Sequence, residues 1–444
     1  MRYGERSGLW TALALAFALH ARQLWNLGAL PNRFYGHWQR DDALALIANL
    51  ALATLLGWGA IRALARLARG RLPDRARRAG RNAARAGTLC APVVLATALQ
   101  LICWPEWGSD LDPPGPPHRN EQAADRAVPV YVFVFDEWSF AQSTTNGRLQ
   151  PILFHLTRLA ERSFFFERAL SPSRHTNVVL AKLLFPAEGR SQLELSEESA
   201  LWLRRGERVR TPDAESVFAP FSRRGYRTAL VGFYLPYRRL LGAQVDVVRA
   251  EPHAPTGEGI LGRMRLRALE SLRFLPEGWR REAYSRHWWE QNRRVRDDVL
   301  RILSSWPAAT FLFSHWPLPH PPFVLESDGS YRGPFTSDRR EGDAADYRRH
   351  LLYLDRVVGE ALDELEDVGR LDESLLVVTS DHGWHHHDPD VLHVPLLVKW
   401  PRQRAPEVVR GRFSTLDLGG LVELAARGEV DLEDARRYLA SHQR

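Results

Sequence analysis

Cysteine and lysine are nearly missing from this chain of 444 residues: Cys90 and Cys103 are its only cysteines, Lys182 and Lys399 its only lysines. Both cysteines sit in one apolar stretch near the N-terminus, so the sequence beyond residue 103 uses neither disulfides nor thiol chemistry. A cysteine nucleophile is thereby excluded from it. Because lysine is so rare, the formal charge of +7 and the pI near 9.7 come from arginine. This Arg-, Ala- and Leu-rich chain has no zinc-finger spacing and no aromatic-basic RNA motif, so no nucleic-acid partner is expected. Its apolar fraction of 45% is that of a folded protein, and its length leaves room for a membrane anchor plus one large domain.

Three apolar stretches come first. Ala43–Ile61 is almost uninterrupted and, at about 1.5 Å per residue, long enough to cross a hydrocarbon core of about 30 Å. Ala86–Trp107 is a second span, with Trp104 and Trp107 suited to an interfacial belt. Gly8–Leu30 is a third, interrupted by His20 and Arg22. The connection Arg62–Arg85 carries nine arginines against the single Asp74, which should hold it in the cytoplasm. Threading three transmembrane helices from that loop predicts a multi-pass anchor, residues 1–107, in the cytoplasmic (inner) membrane, with everything after Trp107 outside. Residues 108–127 contain Pro113-Pro114-Gly115-Pro116-Pro117 and read as a stiff linker. A folded domain over 128–430 and a polar tail over 431–444 would complete the chain.

Within that domain, strand and helix signals alternate. Val128–Phe135 is β-branched and aromatic, Leu149–Arg162 has helical spacing, and Ser163–Leu170 returns to a strand-like run. A helix over Val217–Gly225 precedes a strand over Tyr226–Phe233. Thr310–Phe313 and Leu375–Thr379 read as strands, Tyr347–Leu365 as a helix, and Val394–Val398 as a last strand. The pattern predicts an α/β domain with a mostly parallel sheet sandwiched by helices.

Four stations in this pattern carry chemistry. Ser380-Asp381-His382-Gly383 follows a buried strand, where a carboxylate and an imidazole can share one divalent ion and where open α/β sheets collect ligands. Asp136-Glu137 ends the first strand in the same way, and either acid can serve as ligand. Ser171-Pro172-Ser173-Arg174-His175-Thr176 runs into an apolar helix, Val178–Phe185. A hydroxyl at such a helix N-terminus either caps it or, beside Arg174 and His175, faces a bound anion as a nucleophile. Lastly, Phe313–Phe323 holds four prolines and the histidines His315 and His320, read as a stiff loop after a strand, with a substrate-contact or proton-transfer role for each.

Together these stations resemble the sulfatase-like branch of the alkaline phosphatase superfamily over about Val128–Gly428. The matching stretches are VFVFDEWS, SPSRHTNVVLAKLLFP, RRGYRTALVG, HWPLPHPPF, DYRRHLLYLDRVVGEALDEL, LLVVTSDHGW, HVPLLVKWP and STLDL. An anchor before such a domain looks like lipoteichoic acid synthases and phosphoethanolamine transferases. The resemblance implies an alkaline phosphatase-like fold and one divalent metal ion, zinc or manganese before calcium or magnesium, held by Asp136, Thr176, Asp381 and His382. Thr176 would be ligand and nucleophile; His320 would contact the transferring group or protonate the leaving group, and Arg174 would bind an equatorial oxygen. His175, His315 and His393 would line the substrate site, and His385-His386-His387-Asp388 either holds a second metal or is a polar loop. The implied activity is hydrolysis or transfer of phosphoester-type groups on lipid-borne or envelope-polymer substrates, next to membrane lipids. The alternatives are a sulfuric ester hydrolase and a catalytically silent envelope scaffold. Sulfatases place a cysteine or serine two residues before the proline of their Pro-Ser-Arg motif; here that place is Leu170, with Ser171 one residue out of register. Phe185-Pro186 likewise stands where the nucleophile helix commonly ends in Thr-Gly or Ser-Gly. Nothing in the sequence speaks to oligomeric state.

Overall fold

Alternation along one strand organises the domain. In Val130–Asp136 (β1), Val130, Val132 and Val134 face one hydrophobic core, while Tyr131, Phe133 and Phe135 face the other. A strand buried on both faces belongs in the middle of a parallel sheet. Thr310–Pro319 (β5) and Leu375–Ser380 (β6) flank it, both parallel to it. Phe164–Phe166 (β2), Arg227–Phe233 (β3), Val247–Glu251 (β4), Leu396–Lys399 (β7) and Glu407–Val409 (β8) complete an eight-stranded sheet in the order β4-β3-β5-β1-β6-β7-β2-β8. The β6–β7 and β7–β2 pairs are antiparallel and the others parallel. The expected α/β class with a mostly parallel sheet is the one observed.

Helices cover both faces. Thr176–Leu184 (α2), Leu418–Ala425 (α5) and Leu432–His442 (α6) pack on the valine face of β1. Phe154–Ala160 (α1), Glu277–Ser305 (α3) and Ala344–Asp367 (α4) pack on the aromatic face, through Leu156, Val299 and Leu354 among others. Each large side chain so buried contributes about 1.5–3 kcal/mol.

The computed structural model describes residues 127–195, 200–251, 277–335, 344–385, 387–427 and 431–443. The three expected spans, and all of the linker but Ala127, lie outside these. Among the described residues no helix is long and apolar enough to cross a membrane. The chain divides into two units, residues 1–107 with 256–280 and residues 108–255 with 281–444; the sheet belongs to the second.

Two expectations are corrected. Residues 431–444 are not merely a polar tail: α6 starts with a capping box between Asp431 and Asp434 and buries Ala435 and Leu439. A helical face so narrow escapes a reading by composition. The segment Ser314–Pro319 is not loop but the second half of β5. The sheet absorbs its prolines through a register shift opposite Phe135 and Asp136, so that Asp136 pairs with Pro319.

Candidate active site

Parallel strands β1 and β6 end side by side, and the residues just past them meet. Asp136, Glu137, Asp381 and His382 are all buried. Glu137 adopts φ 63, a left-handed conformation that costs a non-glycine residue about 1–3 kcal/mol. Its N–H donates to Asp381 Oδ1 at 3.2 Å, as does the N–H of His382 at 2.7 Å. Ser380 Oγ accepts the Trp138 N–H at 2.9 Å and lies 2.9 Å from the Phe135 carbonyl and 2.7 Å from that of His382. One hydroxyl thus ties the two strand ends together.

Thr176 reaches the same point from the other side. It is the first residue of α2; the N-cap is His175, which makes no side-chain cap bond. The Thr176 hydroxyl is therefore not consumed as a cap and lies 3.0 Å from His382 Nε2 and 3.5 Å from Asp136 Oδ1. His382 Nδ1 lies 2.9 Å from the Gly383 carbonyl, which can only accept, so Nδ1 carries a proton and Nε2 is the ring atom turned to the carboxylates. That Nε2 is 3.3 Å from Asp381 Oδ2 and 3.7 Å from Asp136 Oδ1. The helix stops at Phe185, since a residue before proline is driven out of the helical region, and Pro186–Glu188 begins a new 3-10 turn. Ser171 is buried, and its hydroxyl, with one proton to donate, lies within hydrogen-bond reach of the backbone carbonyls of Asp381 and Ser173. It braces the site, and Leu170 beside it offers no nucleophile.

Asp136, Asp381 and His382 offer ligand atoms that all lie within 4.8 Å of one another. Burial, with the charges of Asp381 and Glu137 beside it, pushes the Asp136 carboxyl well above its ordinary range. Asp381 Oδ2 and Glu137 Oε2 are buried without a hydrogen-bond partner. Buried carboxylate oxygens without a hydrogen-bond partner, next to His382 Nε2, form a donor set that fits one divalent cation.

A second group overlaps the first. His385 Nδ1 lies 2.8 Å from Glu137 Oε1, and His320 Nε2 lies 3.9 Å from it. Burial would raise the Glu137 carboxyl, but the imidazoles of His320, His385 and His382 outweigh it and hold it below the usual glutamate value. Glu137, His382 and His385 also form a metal-capable trio. Asp136 is the acid nearer Thr176; Glu137 turns toward the histidines.

The remaining expected residues divide. Arg174 and His175 are exposed at the start of α2, and partial burial together with Arg174 and His385 lowers the His175 pKa. His315 lies within β5, fully buried; its Nδ1 is 2.9 Å from the Tyr237 hydroxyl and 3.2 Å from the Phe233 carbonyl. Burial lowers its pKa to about 4, so it is neutral. His393 pairs with Leu170 across a short antiparallel strand; its Nε2 meets the Glu167 carbonyl at 2.8 Å and its ring stacks on Phe140 at 3.9 Å. The 385–388 cluster is dispersed, because His387 lies over the Trp384 ring and Asp388 accepts from the Ser139 hydroxyl, while His386 is outside the described residues. Sequence reading names Ser380 only within the strand-end station and Tyr347 only as the start of a helix, and assigns neither of them the bracing contacts it makes, since those join residues far apart in the chain.

Residues 279–421 match the family model described as Sulfatase. The matched span contains His320, Asp381, His382 and His385 and begins after Asp136 and Thr176. No curated protein matches. Among solved structures, the PsFucS1 sulfatase from Pseudoalteromonas sp. is similar at 14% identity, covering 69% of this chain and 68% of that one, with a TM-score of 0.45. The phosphonate monoester hydrolase of Agrobacterium radiobacter follows at 17% identity, 66% and 72% coverage and a TM-score of 0.42. A protein in the alkaline phosphatase superfamily from Vibrio parahaemolyticus gives 11%, 71% and 69%, and 0.40. All three scores lie below 0.5, so what those proteins act on stays with them.

Proposed function

We propose that this chain, whose residues 279–421 match the sulfatase family model, is a membrane-anchored, metal-dependent hydrolase or transferase acting on phosphoester-type groups through Thr176. The observation that carries this reading is the Thr176 hydroxyl. It sits uncapped at the head of α2, 3.0 Å from His382 Nε2, among buried carboxylates with unpartnered oxygens. Asp136, Asp381, His382 and Thr176 would hold one divalent ion, zinc or manganese, in an alkaline phosphatase-like arrangement. When bound, the ion lowers the hydroxyl pKa and offsets charge on the transferring group.

In the reaction, Thr176 Oγ1 gives up its proton and bonds to phosphorus while the bond from phosphorus to the leaving oxygen breaks, and that oxygen departs as the alcohol by taking up one proton. Water or a sugar hydroxyl then bonds to phosphorus as the phosphorus–Oγ1 bond breaks, its proton returning to Thr176. His320 faces the same cluster, its Nε2 3.9 Å from Glu137 Oε1, and would contact the transferring group or protonate the leaving group. Arg174, exposed and cationic, suits an equatorial oxygen. Leu170 at the place of the convertible residue speaks for phosphoesters over sulfate esters. The apolar runs before residue 108 support an anchor in the cytoplasmic membrane, a site on its outer side, and lipid-borne or envelope-polymer substrates at the bilayer surface.

The test uses the purified full-length chain after extensive dialysis. Elemental analysis should find about one metal equivalent per chain. Thr176→Ala should lower phosphodiester cleavage by at least about 10³-fold. A Thr176→Ala protein with full activity would sink the assignment, cleavage of sulfate esters alone would move it to a sulfuric ester hydrolase, and a folded chain that takes up no metal would make it a silent scaffold.

A further inference from the structure

Four segments supply the candidate site, and one tyrosine of α4 touches three of them. Tyr347 is buried; its hydroxyl donates to the Glu137 carbonyl at 2.8 Å and accepts the Ser139 N–H at 2.8 Å. Its ring stacks on Trp384, centroids 4.2 Å apart with planes at 16°, and meets Phe323 edge-on at 6.3 Å. Glu137–Ser139 is the turn that follows Asp136. Trp384 stands between His382 and His385. Phe323 ends the Pro-rich segment that carries His320.

Glu137 is the strained residue here, at φ 63. Both of its backbone groups are committed, the N–H to Asp381 Oδ1 and the carbonyl to Tyr347. Ser139 secures the same turn a second time, its hydroxyl donating to Asp388 Oδ1 at 2.5 Å, while Asp388 Oδ2 accepts the Trp384 N–H at 2.8 Å.

We propose that Tyr347 is a positioning residue: its hydroxyl holds the left-handed turn at Glu137 and so sets the spacing between Asp136 and the Asp381–His382 pair. The proposal rests on the metal-dependent reading above. Phenylalanine in its place keeps the ring stack but leaves the Glu137 carbonyl and the Ser139 N–H buried without that partner. With one tether gone, the turn relaxes and the carboxylates lose their common focus.

The test is Mn²⁺ titration by calorimetry with steady-state kinetics on a phosphodiester, using the full-length chain. Tyr347→Phe should lower Mn²⁺ affinity and kcat by about 10-fold each, with KM changed less than about twofold. Tyr353→Phe, at a buried tyrosine of the same helix that packs against Gly329, should match the parent in both. Ser139→Ala releases the turn from the Asp388 side and should lower Mn²⁺ affinity in the same direction; it decides the matter if Tyr347→Phe does not fold. Parent-like affinity and kcat in Tyr347→Phe, or in Ser139→Ala where the first cannot be purified, overturns the proposal. A parent that binds no Mn²⁺ overturns the metal-site reading itself, and this proposal with it.

Discussion

Asp136, Glu137 and Asp381 place three carboxyl groups in one buried volume, an arrangement a protein selected for stability alone would not keep. Asp381 shows how function and stability part. Its Oδ1 accepts two backbone N–H groups, whereas its Oδ2 is buried and bare. In Asp381→Asn the carbonyl can keep both bonds while one charge leaves the cluster. We expect Mn²⁺ affinity to fall at least about 10-fold while the chelator-treated protein melts no lower than the parent. Calorimetry and thermal denaturation in EDTA check the two halves, and a clear drop in melting temperature would show that the carboxylate is structural. Gly232 makes a complementary case on the other side of β5. A Cβ there would lie 3.1 Å from His315 Cβ and 3.2 Å from Tyr237 Cε2, closer than side chains ordinarily approach. Gly232→Ala should therefore cost about 1–3 kcal/mol by overpacking, read as a lower denaturant midpoint; an unchanged midpoint would mean that the His315–Tyr237 pair is free to move.

Among elements, α4 holds the site together, and its histidine gives it a pH signature. His350 is fully buried and its Nε2 accepts the Leu325 N–H at 3.1 Å, which fixes the chain just past His320. Burial lowers its pKa to about 3, and that of His315 to about 4, against about 6.5 for an unfolded histidine. Below about pH 6.5 the unfolded chain takes up these protons while the folded chain refuses them until about pH 3 to 4, so stability falls as pH falls through this window. His350→Gln removes one of the two groups and should flatten the slope of unfolding free energy between about pH 6.5 and 3; an identical slope in urea melts across that range would reject the buried-neutral assignment. These elements also show what the sequence could reveal. Strands β1 and β6 were legible because both of their faces are apolar; Asp136, Asp381 and His382 stand out as candidates because each sits at the end of such a run, and Thr176 because an apolar helix follows it. His315 was misplaced because proline signals a loop locally, whereas the register shift that admits Pro317 and Pro319 into β5 is a property of the paired strand. The Glu137–His385 and Glu137–Tyr347 contacts join residues separated by 248 and 210 positions, and no local pattern encodes such a meeting.

At the scale of the whole molecule, the scarcity of cysteine becomes a tool. The proposed orientation depends on a single asymmetry, the nine arginines and one aspartate between Arg62 and Arg85, which should keep that loop in the cytoplasm and send the sheet domain outward. Cys90 and Cys103 are the only thiols, and both fall in the second apolar run, so a serine-substituted chain can report topology from one introduced cysteine at a time. With a membrane-impermeant maleimide on intact cells, Ser109→Cys should label before lysis and Asn82→Cys only after it. The opposite pattern would put the Asp136–Asp381–His382 cluster on the cytoplasmic side and remove envelope polymers from its reach. Labelling of both positions before lysis would mean that no span separates residues 82 and 109, and the anchor would then have to rest on the earlier runs alone. Reducing the charge asymmetry by changing the loop arginines to glutamine should raise labelling at position 82 at the expense of position 109, because arginine in the short connection, not the fold of the domain, sets the direction of insertion.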